Sequence, residues 1–324
     1  MTKPKILLTG LPHPDQIAEY SDRFEFTYAT DKPYTREELL AQLPEQDGVV
    51  LFGYKADKEF IDTGANLKII ATNSVGFDHV DIDYAQSKGI VVANTPAAVR
   101  VPTAETALTL MLSVTRRFNE YNNKMHAGEW TPMTNVDNLG TSVQGKTLGI
   151  FGMGRIGKTM AGFGQMLGMD VIYHNRHQLS PEAEAEAGVK FVSFDELVQQ
   201  ADVLSLHAPA TPETANIINA DVFKAMKPSA FLINVARGAL VNEADLEVAL
   251  KEHQIAGAGL DVYADEPNVP AGLTQFENVV MTPHAGTGTV EAQTAIFVEA
   301  LNNLVATLLD EQPTNMVNHV AKYE

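Results

Sequence analysis

The sequence predicts an α/β protein built from two doubly wound, parallel-sheet domains, the second inserted into the first. Three observations carry that prediction. Short apolar runs alternate with helix-length stretches along nearly the whole chain, the signature of parallel strands covered on both faces. The alternation stops in a loop-like stretch at 129–145 and then restarts. After the last strand candidate comes one long helical pattern and no further strand, so that helix has to pack back on the first series. The expected boundaries are 1–100 with 288–324 for one domain and 101–287 for the other. A length of 324 residues suits two domains at roughly 100–200 residues each.

In the first series, Lys5–Leu8, Gly48–Phe52, Leu67–Ala71 and Ile90–Ala93 read as buried strands, each bounded by Gly, Pro, Asn or Asp. Thr35–Leu43 between them has helical spacing, with Thr35 as cap and Glu38 three residues on. From Thr103 the spacing of Ala104, Ala107, Leu108, Met111, Leu112 and Val114 predicts a long helix, with Arg116 and Arg117 near its end. The loop at 129–145 carries Trp130, Pro132, Asn135, Asn138 and Gly140. The second series offers Thr147–Phe151, Asp170–Tyr173, Val203–Leu206, Ala230–Asn234, Gly257–Asp261 and Val279–Thr282, enough strands for a complete doubly wound dinucleotide fold. Val290–Leu309 is the returning helix.

Composition narrows the function. Hydrophobic residues make up 45%, enough for a core. Lys plus Arg number 23 against 41 Asp plus Glu, a net charge of −18. A field of that sign repels nucleic-acid phosphates and anionic lipid, so neither is an expected partner. A small anionic substrate would need a locally positive pocket. The absence of cysteine removes disulfides, thiolate nucleophiles and Cys-based metal sites. His174, His177 and Asp170 do not form a metal-ligand pattern, and no metal is expected. The apolar run from Ile6 ends at Pro12, too short for a signal-peptide core, and no run reaches about 18 apolar residues. A cytoplasmic protein is expected.

Gly152-Met153-Gly154-Arg155-Ile156-Gly157 follows a strand and opens a helix. Gly152 permits the tight turn, Gly154 lets the backbone approach a pyrophosphate, and Gly157 lets helix and strand pack closely; the helix N–H groups then meet the phosphates. An NAD site usually has an acid about 20 residues on. Here Asn175 and Arg176 stand at the end of the next strand. A neutral Asn and a guanidinium suit a 2′-phosphate, which favours NADP(H) over NAD(H).

Three ionisable groups follow strand candidates of the second series: Arg237 in Asn234–Gly238, Glu266 in Asp265–Pro267 beyond Gly259–Tyr263, and His284 in Pro283-His284. Ligands of open α/β sheets bind outside the carboxyl ends of strands, so all three can face the crevice of the glycine turn. Arg237 supplies a permanent charge with a bidentate fork. His284 can move a proton near neutral pH, and Glu266 bonded to it would favour the imidazolium and fix the ring.

These motifs, with Asn73-Ser74-Val75-Gly76-Phe77-Asp78, Thr103-Ala104-Glu105 and Ser205-Leu206-His207-Ala208-Pro209, resemble the D-isomer-specific 2-hydroxyacid dehydrogenase family over nearly the whole chain. The order Arg237, Glu266, His284 is specific to it. Thr103-Ala104-Glu105, Trp130 and Asn175-Arg176 are most similar to its glyoxylate/hydroxypyruvate reductases.

The resemblance implies a Rossmann dinucleotide-binding domain inserted into a discontinuous flavodoxin-like substrate domain, closing on a small 2-oxo acid that NAD(P)H reduces to the D-2-hydroxy acid. It implies that the N–H groups of Val75 and Gly76 join Arg237 on the substrate carboxylate, with His284 as general acid. Asp261 would bond the nicotinamide carboxamide, with Thr103, Val235, Ala236 and Gly286 around it. Arg155, Ile156, His207, Ala208, Pro209 and Thr214 are the further expected cofactor contacts; His207 reads equally well as structural. The family also implies a homodimer through the helix from Thr103 and the loop after it, with Trp130 a candidate to reach a substrate pocket across that dimer. D-lactate or another D-2-hydroxyacid dehydrogenase is the alternative, and a non-catalytic dinucleotide-sensing protein the distant one. The intact Arg237–Glu266–His284 set disfavours sensing, and Glu266 disfavours the formate dehydrogenases, which pair the histidine with Gln. The short stretch after the Val290 helix disfavours a phosphoglycerate dehydrogenase with an added regulatory domain.

Overall fold

The computed structural model describes residues 2–12 and 14–323. The chain divides into two compact units, one running to Val99 and resuming at Thr289, the other Arg100–Gly288. In chain order the first unit contains β1 (Lys5–Leu8), α1 (Pro14–Ala18), β2 (Glu25–Thr27), α2 (Arg36–Gln42), β3 (Gly48–Leu51), α3 (Lys58–Thr63), β4 (Ile69–Thr72), α4 (Ile82–Ser87) and β5 (Val91–Ala93). The second contains α5 (Arg100–Thr115), α6 (Phe118–His126), β6 (Thr147–Phe151), α7 (Arg155–Met166), β7 (Asp170–His174), α8 (Pro181–Ala187), β8 (Lys190–Phe191), α9 (Phe194–Gln200), β9 (Val203–Leu206), α10 (Ala220–Ala225), β10 (Phe231–Asn234), α11 (Glu243–Lys251), β11 (Gly257–Leu260) and β12 (Val279–Met281). The chain returns to the first unit as α12 (Val290–Leu308).

The first unit holds a five-stranded parallel sheet in the order β2-β1-β3-β4-β5. That is the flavodoxin-like order. Its strands are buried on both faces, which is why they read as unbroken apolar runs. On one face Phe297, Ala300, Leu301 and Leu304 of α12 join Ile6, Val50, Ile69 and Ala71. On the other, Leu39, Phe60, Ile61 and Ala85 from α2, α3 and α4 join Leu7, Val49 and Ile70. Thr35 and Glu38 form the expected capping box at α2, each side chain accepting the other's backbone N–H. The tail covers the edge strand β5: Asn318 accepts from Val92 N–H and donates to Ile90 O, at 2.9 and 2.8 Å. An unpaired edge would otherwise invite association.

The second unit holds a seven-stranded parallel sheet, β12-β11-β10-β9-β6-β7-β8. One face is packed by α5 and α7, through Ala104, Ala107, Leu110, Met111, Met160 and Ala161. The other is packed by α9, α10 and α11, through Leu197, Phe223, Leu246 and Leu250. Helix α5 lies so close to β11 that a Cβ at Gly259 would stand 2.9 Å from Leu110 Cβ and 3.0 Å from Ile233 Cδ1.

Several details differ from the sequence reading. The sheets gain β2 and β8, short edge strands of three and two residues whose partial exposure leaves no apolar run to read. Helix α5 begins at Arg100 rather than Thr103, with Pro102 in its first turn, where the missing N–H costs nothing. It stops at Thr115; Arg117 adopts a left-handed conformation, φ 53°, and opens α6. The loop at 129–145 contains a short 3-10 turn, Val136–Asn138, and otherwise lacks regular structure.

Gly259→Ala is expected to destabilise the second unit by about 1–3 kcal/mol, because α5 must move off the sheet; thermal unfolding followed by circular dichroism would register a lower midpoint with unchanged secondary structure.

Candidate active site

The strand order of the second unit reverses between β6 and β9, and the glycine turn follows β6 directly. Phe151 at the end of β6 is level with His174 of β7 on one side and Leu206 of β9 on the other. The backbone is wedged there. Gly152 has φ +101°, and a Cβ on it would lie 2.5 Å from Ala208 N. A Cβ on Gly157 would lie 2.3 Å from Gly152 O. At Gly154 nothing beyond the adjoining chain lies within 4 Å of that position, so a ligand can reach its backbone. Gly154 caps α7 without a side-chain hydrogen bond, and the N–H groups of Arg155 and Ile156 have no intrachain partner among the described residues. A pyrophosphate fits this cradle, held by peptide N–H groups at the positive end of a helix.

The end of β7 is tied to the turn. Gly152 N–H donates to His174 O at 3.0 Å, and Met153 N–H donates to Asn175 Oδ1 at 2.6 Å. His174 stacks on Phe151 and Phe191. Asn175 therefore braces the turn with its oxygen, leaving its NH₂ as the group that can meet a ligand. Arg176 is exposed beyond it and makes no ion pair among the described residues.

After β9, His207 N–H donates to Phe151 O at 2.8 Å, and His207 Nε2 pairs with Ser205 Oγ at 2.9 Å. Its Nδ1 is sealed from solvent without a partner, although the residue as a whole is partly exposed. Burial pushes its pKa down to about 3, so the ring is neutral. Ala208 is buried and Pro209 exposed. Thr214 is occupied with its own loop: its hydroxyl accepts from Thr211 N–H at 2.8 Å and donates to Pro209 O at 2.9 Å.

The ends of β10, β11 and β12 carry the ionisable groups. After β10, Asn234 makes a turn, accepting from Ala236 N–H and donating to Arg237 O at 3.1 and 2.9 Å. Val235 and Ala236 stay buried while Arg237 comes partly into solvent, its Nη1 donating to Ala236 O at 2.7 Å. Gly238 seats this turn on the β11 loop so tightly that a Cβ would come within 1.9 Å of the Tyr263 carbonyl carbon.

Asp261, 1% exposed, organises the next two loops. Its Oδ1 accepts from Thr282 Oγ1 at 2.6 Å and from Ala285 N–H at 2.7 Å, and its backbone oxygen accepts from His284 N–H at 2.8 Å. Those bonds hold His284 at φ 52°, a left-handed conformation that a non-glycine residue adopts only when its surroundings impose it. The free oxygen Oδ2 points toward Gly286, as does buried Thr103. His284 Nδ1 lies 2.7 Å from Glu266 Oε2, with the two side chains 52% and 34% exposed. Glu266 Oε1 accepts from Tyr263 N–H at 2.9 Å, so the carboxylate is fixed at both oxygens. His284 Nε2 makes no hydrogen bond among the described residues and is open for proton transfer. The structure thus joins Glu266 to His284 and places Arg237, Asp261, Thr103 and Gly286 on the same sheet end.

Val75 and Gly76 lie in the first unit, after β4. Their carbonyls are engaged, by Asn94 Nδ2 at 2.8 Å and by Ser74 Oγ at 2.6 Å, whereas their N–H groups carry no intrachain bond among the described residues. Trp130 is 80% exposed. A cavity of about 600 Å³ in the second unit, floored by Phe231, Leu250 and Phe276, opens at the amino-terminal edge of the sheet. Its lining carries both signs of charge, Arg117, Lys251 and His253 with Glu120 and Glu277.

Sequence reasoning missed Tyr263. Its hydroxyl sits 3.0 Å from Thr282 O and 3.2 Å from Leu260 O, bridging the β11 and β12 ends. Burial, followed by the nearby Asp261 charge, raises its pKa to about 12, so it remains a donor. Its place in the Gly259–Tyr263 motif was visible; the contact with Thr282 was not, because that residue follows a separate strand, β12.

Residues 108–286 match the family described as D-isomer specific 2-hydroxyacid dehydrogenase, NAD binding domain. A glyoxylate reductase of Thermococcus litoralis is 40% identical over 98% of this chain and 97% of its own. Among solved structures, a glyoxylate reductase from Paecilomyes thermophila superimposes with a TM-score of 0.88 at 35% identity, covering 98% of this chain and 99% of that one. An NADPH-dependent glyoxylate/hydroxypyruvate reductase from Sinorhizobium meliloti, in complex with NADP and malonate, does so at 0.87 and 31%, covering 99% and 98%. The chain belongs to the D-isomer-specific 2-hydroxyacid dehydrogenase family and is most like its glyoxylate reductases. It is an NAD(P)-dependent oxidoreductase acting on small 2-oxo acids. Among the described residues no helix is long and apolar enough to cross a membrane.

The buried neutral His207 has a consequence for stability. Between about pH 3 and 6.5 the unfolded chain binds a proton at this position that the folded chain refuses, so its contribution is complete above that window and is lost as pH falls through it. In His207→Gln the dependence of unfolding free energy on pH across this window should be shallower than in the parent, by up to about 1.4 kcal/mol per pH unit; parallel curves from denaturant titrations would refute the buried neutral state.

Proposed function

We propose that the chain reduces glyoxylate and hydroxypyruvate, with NADPH preferred to NADH, and yields the D isomer where the product is chiral, as from hydroxypyruvate. The observation that carries the reading is the His284–Glu266 pair: Nδ1 is held by a carboxylate and Nε2 is left open, on the sheet end that also bears Arg237 and Asp261. The dinucleotide, when bound, supplies a hydride to C2 of the oxo acid. His284 Nε2–H then donates a proton to the C2 oxygen, and Glu266 stabilises the imidazolium before transfer while keeping the ring in place. Arg237 holds the substrate carboxylate with its fork, the geometry a lysine would not reproduce. The open N–H groups of Val75 and Gly76 in the first unit would likewise suit a carboxylate.

For the cofactor, Gly152, Gly154, Arg155, Ile156 and Gly157 would hold the pyrophosphate through backbone N–H groups. Asp261 Oδ2 would accept from the nicotinamide carboxamide, beside Thr103, Val235, Ala236 and Gly286. His207, Ala208 and Pro209 would line the opposite wall; Thr214 would act by shaping that loop. The case for NADPH rests on Asn175. Met153 N–H can only donate, so it fixes the amide with oxygen inward and NH₂ outward. An outward donor beside Arg176 suits a phosphate, which only accepts.

A homodimer is part of the proposal. The stretch after α5 exposes apolar side chains in close succession, Trp130 at 80% and Val136 at 78% among them, more than a monomeric surface usually offers together. Trp130 is the candidate to reach a partner's substrate pocket. Light scattering should give twice the chain mass of 35.2 kDa, and a monomer would refute this part.

Initial rates of NADPH and NADH oxidation with glyoxylate, hydroxypyruvate, pyruvate and a branched 2-oxo acid test the function. The expected order is NADPH ahead of NADH and the two small substrates ahead of the others; a preference for pyruvate would point instead to a D-lactate dehydrogenase. His284→Ala and Arg237→Ala should each lower kcat/KM by about 10²–10⁴-fold while cofactor binding changes little. Near-normal turnover in His284→Ala would remove it as the acid. Asn175→Asp, which keeps the bond to Met153 but turns an oxygen outward, should move preference toward NADH.

A further inference from the structure

We propose that Asn94 is a positioning residue for the substrate carboxylate, its side-chain amide fixing the direction of the Gly76 N–H group. The inference rests on the reading of the Val75 and Gly76 N–H groups as carboxylate anchors and adds what holds them in place.

A trans peptide carries its C=O and N–H on opposite sides, so whatever holds the oxygen aims the hydrogen. The oxygen of the Val75–Gly76 peptide accepts from Asn94 Nδ2 at 2.8 Å, which sends Gly76 N–H the other way. The preceding peptide is held from the neighbouring residue. Ser74 O accepts from Thr95 N–H at 3.1 Å and from Thr72 Oγ1 at 2.8 Å, which aims Val75 N–H. Two successive N–H groups are thus turned away from the end of β5, neither with an intrachain bond among the described residues. Adjacent peptide N–H groups left open in a loop are donors that an anion can take.

Asn94 is itself locked. A carbonyl only accepts, so the side-chain NH₂ must be the group facing Val75 O. The residue is buried, and both its backbone polar groups are engaged. Its N–H donates to Asn315 O at 3.2 Å, and its oxygen accepts from Asn303 Nδ2 at 2.9 Å. Asn303, buried on α12, has its own oxygen occupied by Thr314 Oγ1 and Asn315 Nδ2, both at 3.0 Å. Met316 then pairs with Ala93 in antiparallel fashion. The returning helix and the segment after it therefore brace one amide at the end of β5. A buried amide is tolerated only when it is hydrogen-bonded, and here the whole chain of bonds ends on the Val75 carbonyl.

The kinetic consequence follows from the chemistry. A 2-oxo acid changes at C2 and its oxygen during reduction, while its carboxylate carries the same charge before and after. An anchor for that carboxylate binds ground state and transition state alike, so disturbing it raises KM and spares kcat. A residue that served the fold alone would lower the unfolding midpoint and leave this split unmoved.

Asn94→Leu keeps the volume and removes the donor; Asn94→Ser removes its reach without adding bulk, and serves should the leucine variant fail to fold. With glyoxylate, KM is expected to rise about five- to thirtyfold, the loss of one buried hydrogen bond. The turnover number and the dissociation constant of the reduced cofactor should stay near the parent values. An unchanged KM with only a lower unfolding midpoint would overturn the inference, and so would a matching fall in kcat and cofactor affinity. The second readout is the amide resonances of Val75 and Gly76 in cofactor-bound protein titrated with oxalate. In the parent both should shift, and in the variant the Gly76 shift should need correspondingly more oxalate. If neither resonance responds in the parent, the carboxylate reading itself fails. If parent and variant respond alike, only the role of Asn94 falls.

Discussion

The close approach of three backbones at the end of β6 is the constraint on which the candidate site depends. Gly152 rests against Ala208 and His207, Gly157 rests against the Gly152 carbonyl, and Met153 and Gly152 donate to the end of β7. No side chain larger than hydrogen fits at the two contact glycines without moving backbone. The turn is consequently rigid before any ligand arrives, and its N–H groups already point outward. Binding a pyrophosphate there requires little ordering of the protein, and ordering is a cost that weakens association wherever it must be met.

A second device, built on a buried carboxylate, does for the reacting end what the glycines do for the phosphates. Asp261 is fully enclosed, and a charge in that position is tolerated only when hydrogen bonds replace its lost water. Thr282 and Ala285 provide them, and the adjoining peptide oxygen fixes His284 N–H. The left-handed backbone at His284 costs about 1–3 kcal/mol, and the Asp261 bonds are what hold it. Tyr263 and Gly238 tie the same loops to β12 and to the Arg237 turn. Arg237, Glu266 and His284 come from three different strand ends, and these contacts convert that dispersed origin into one fixed arrangement.

The parts legible in the sequence were those whose chemistry is local. Gly152, Gly154 and Gly157 announce their turn by spacing, Thr35 and Glu38 their cap, and the doubly buried strands their place in a parallel sheet. Arg237, Glu266 and His284 were legible because each follows a strand in a recognisable motif. What escaped was pairwise and distant. Edge strands β2 and β8 are half exposed and two or three residues long, so no hydrophobic pattern marks them. Asn175 read as a ligand contact; its second task, an oxygen that serves Met153 twenty-two residues away in sequence, was not legible. Tyr263 gains its meaning from Thr282 beyond a neighbouring strand, and no local pattern encodes which strands will be neighbours.

The charge of the whole molecule makes the local design intelligible. A chain with net charge −18 offers no general attraction to a dinucleotide or a carboxylate, both anionic. Attraction has to come from dipoles and a few placed cations. Peptide N–H groups at the start of α7 carry partial positive charge that neither pH nor neighbouring acids can remove. Arg237 and Arg176 are full charges with a fork geometry, standing beyond the ends of β10 and β7. Because the remaining field is repulsive, an anion that misses these donors gains nothing from the rest of the surface. Selectivity for small ligands that bear their negative charges in the right positions then follows from the same acidity that would otherwise oppose binding.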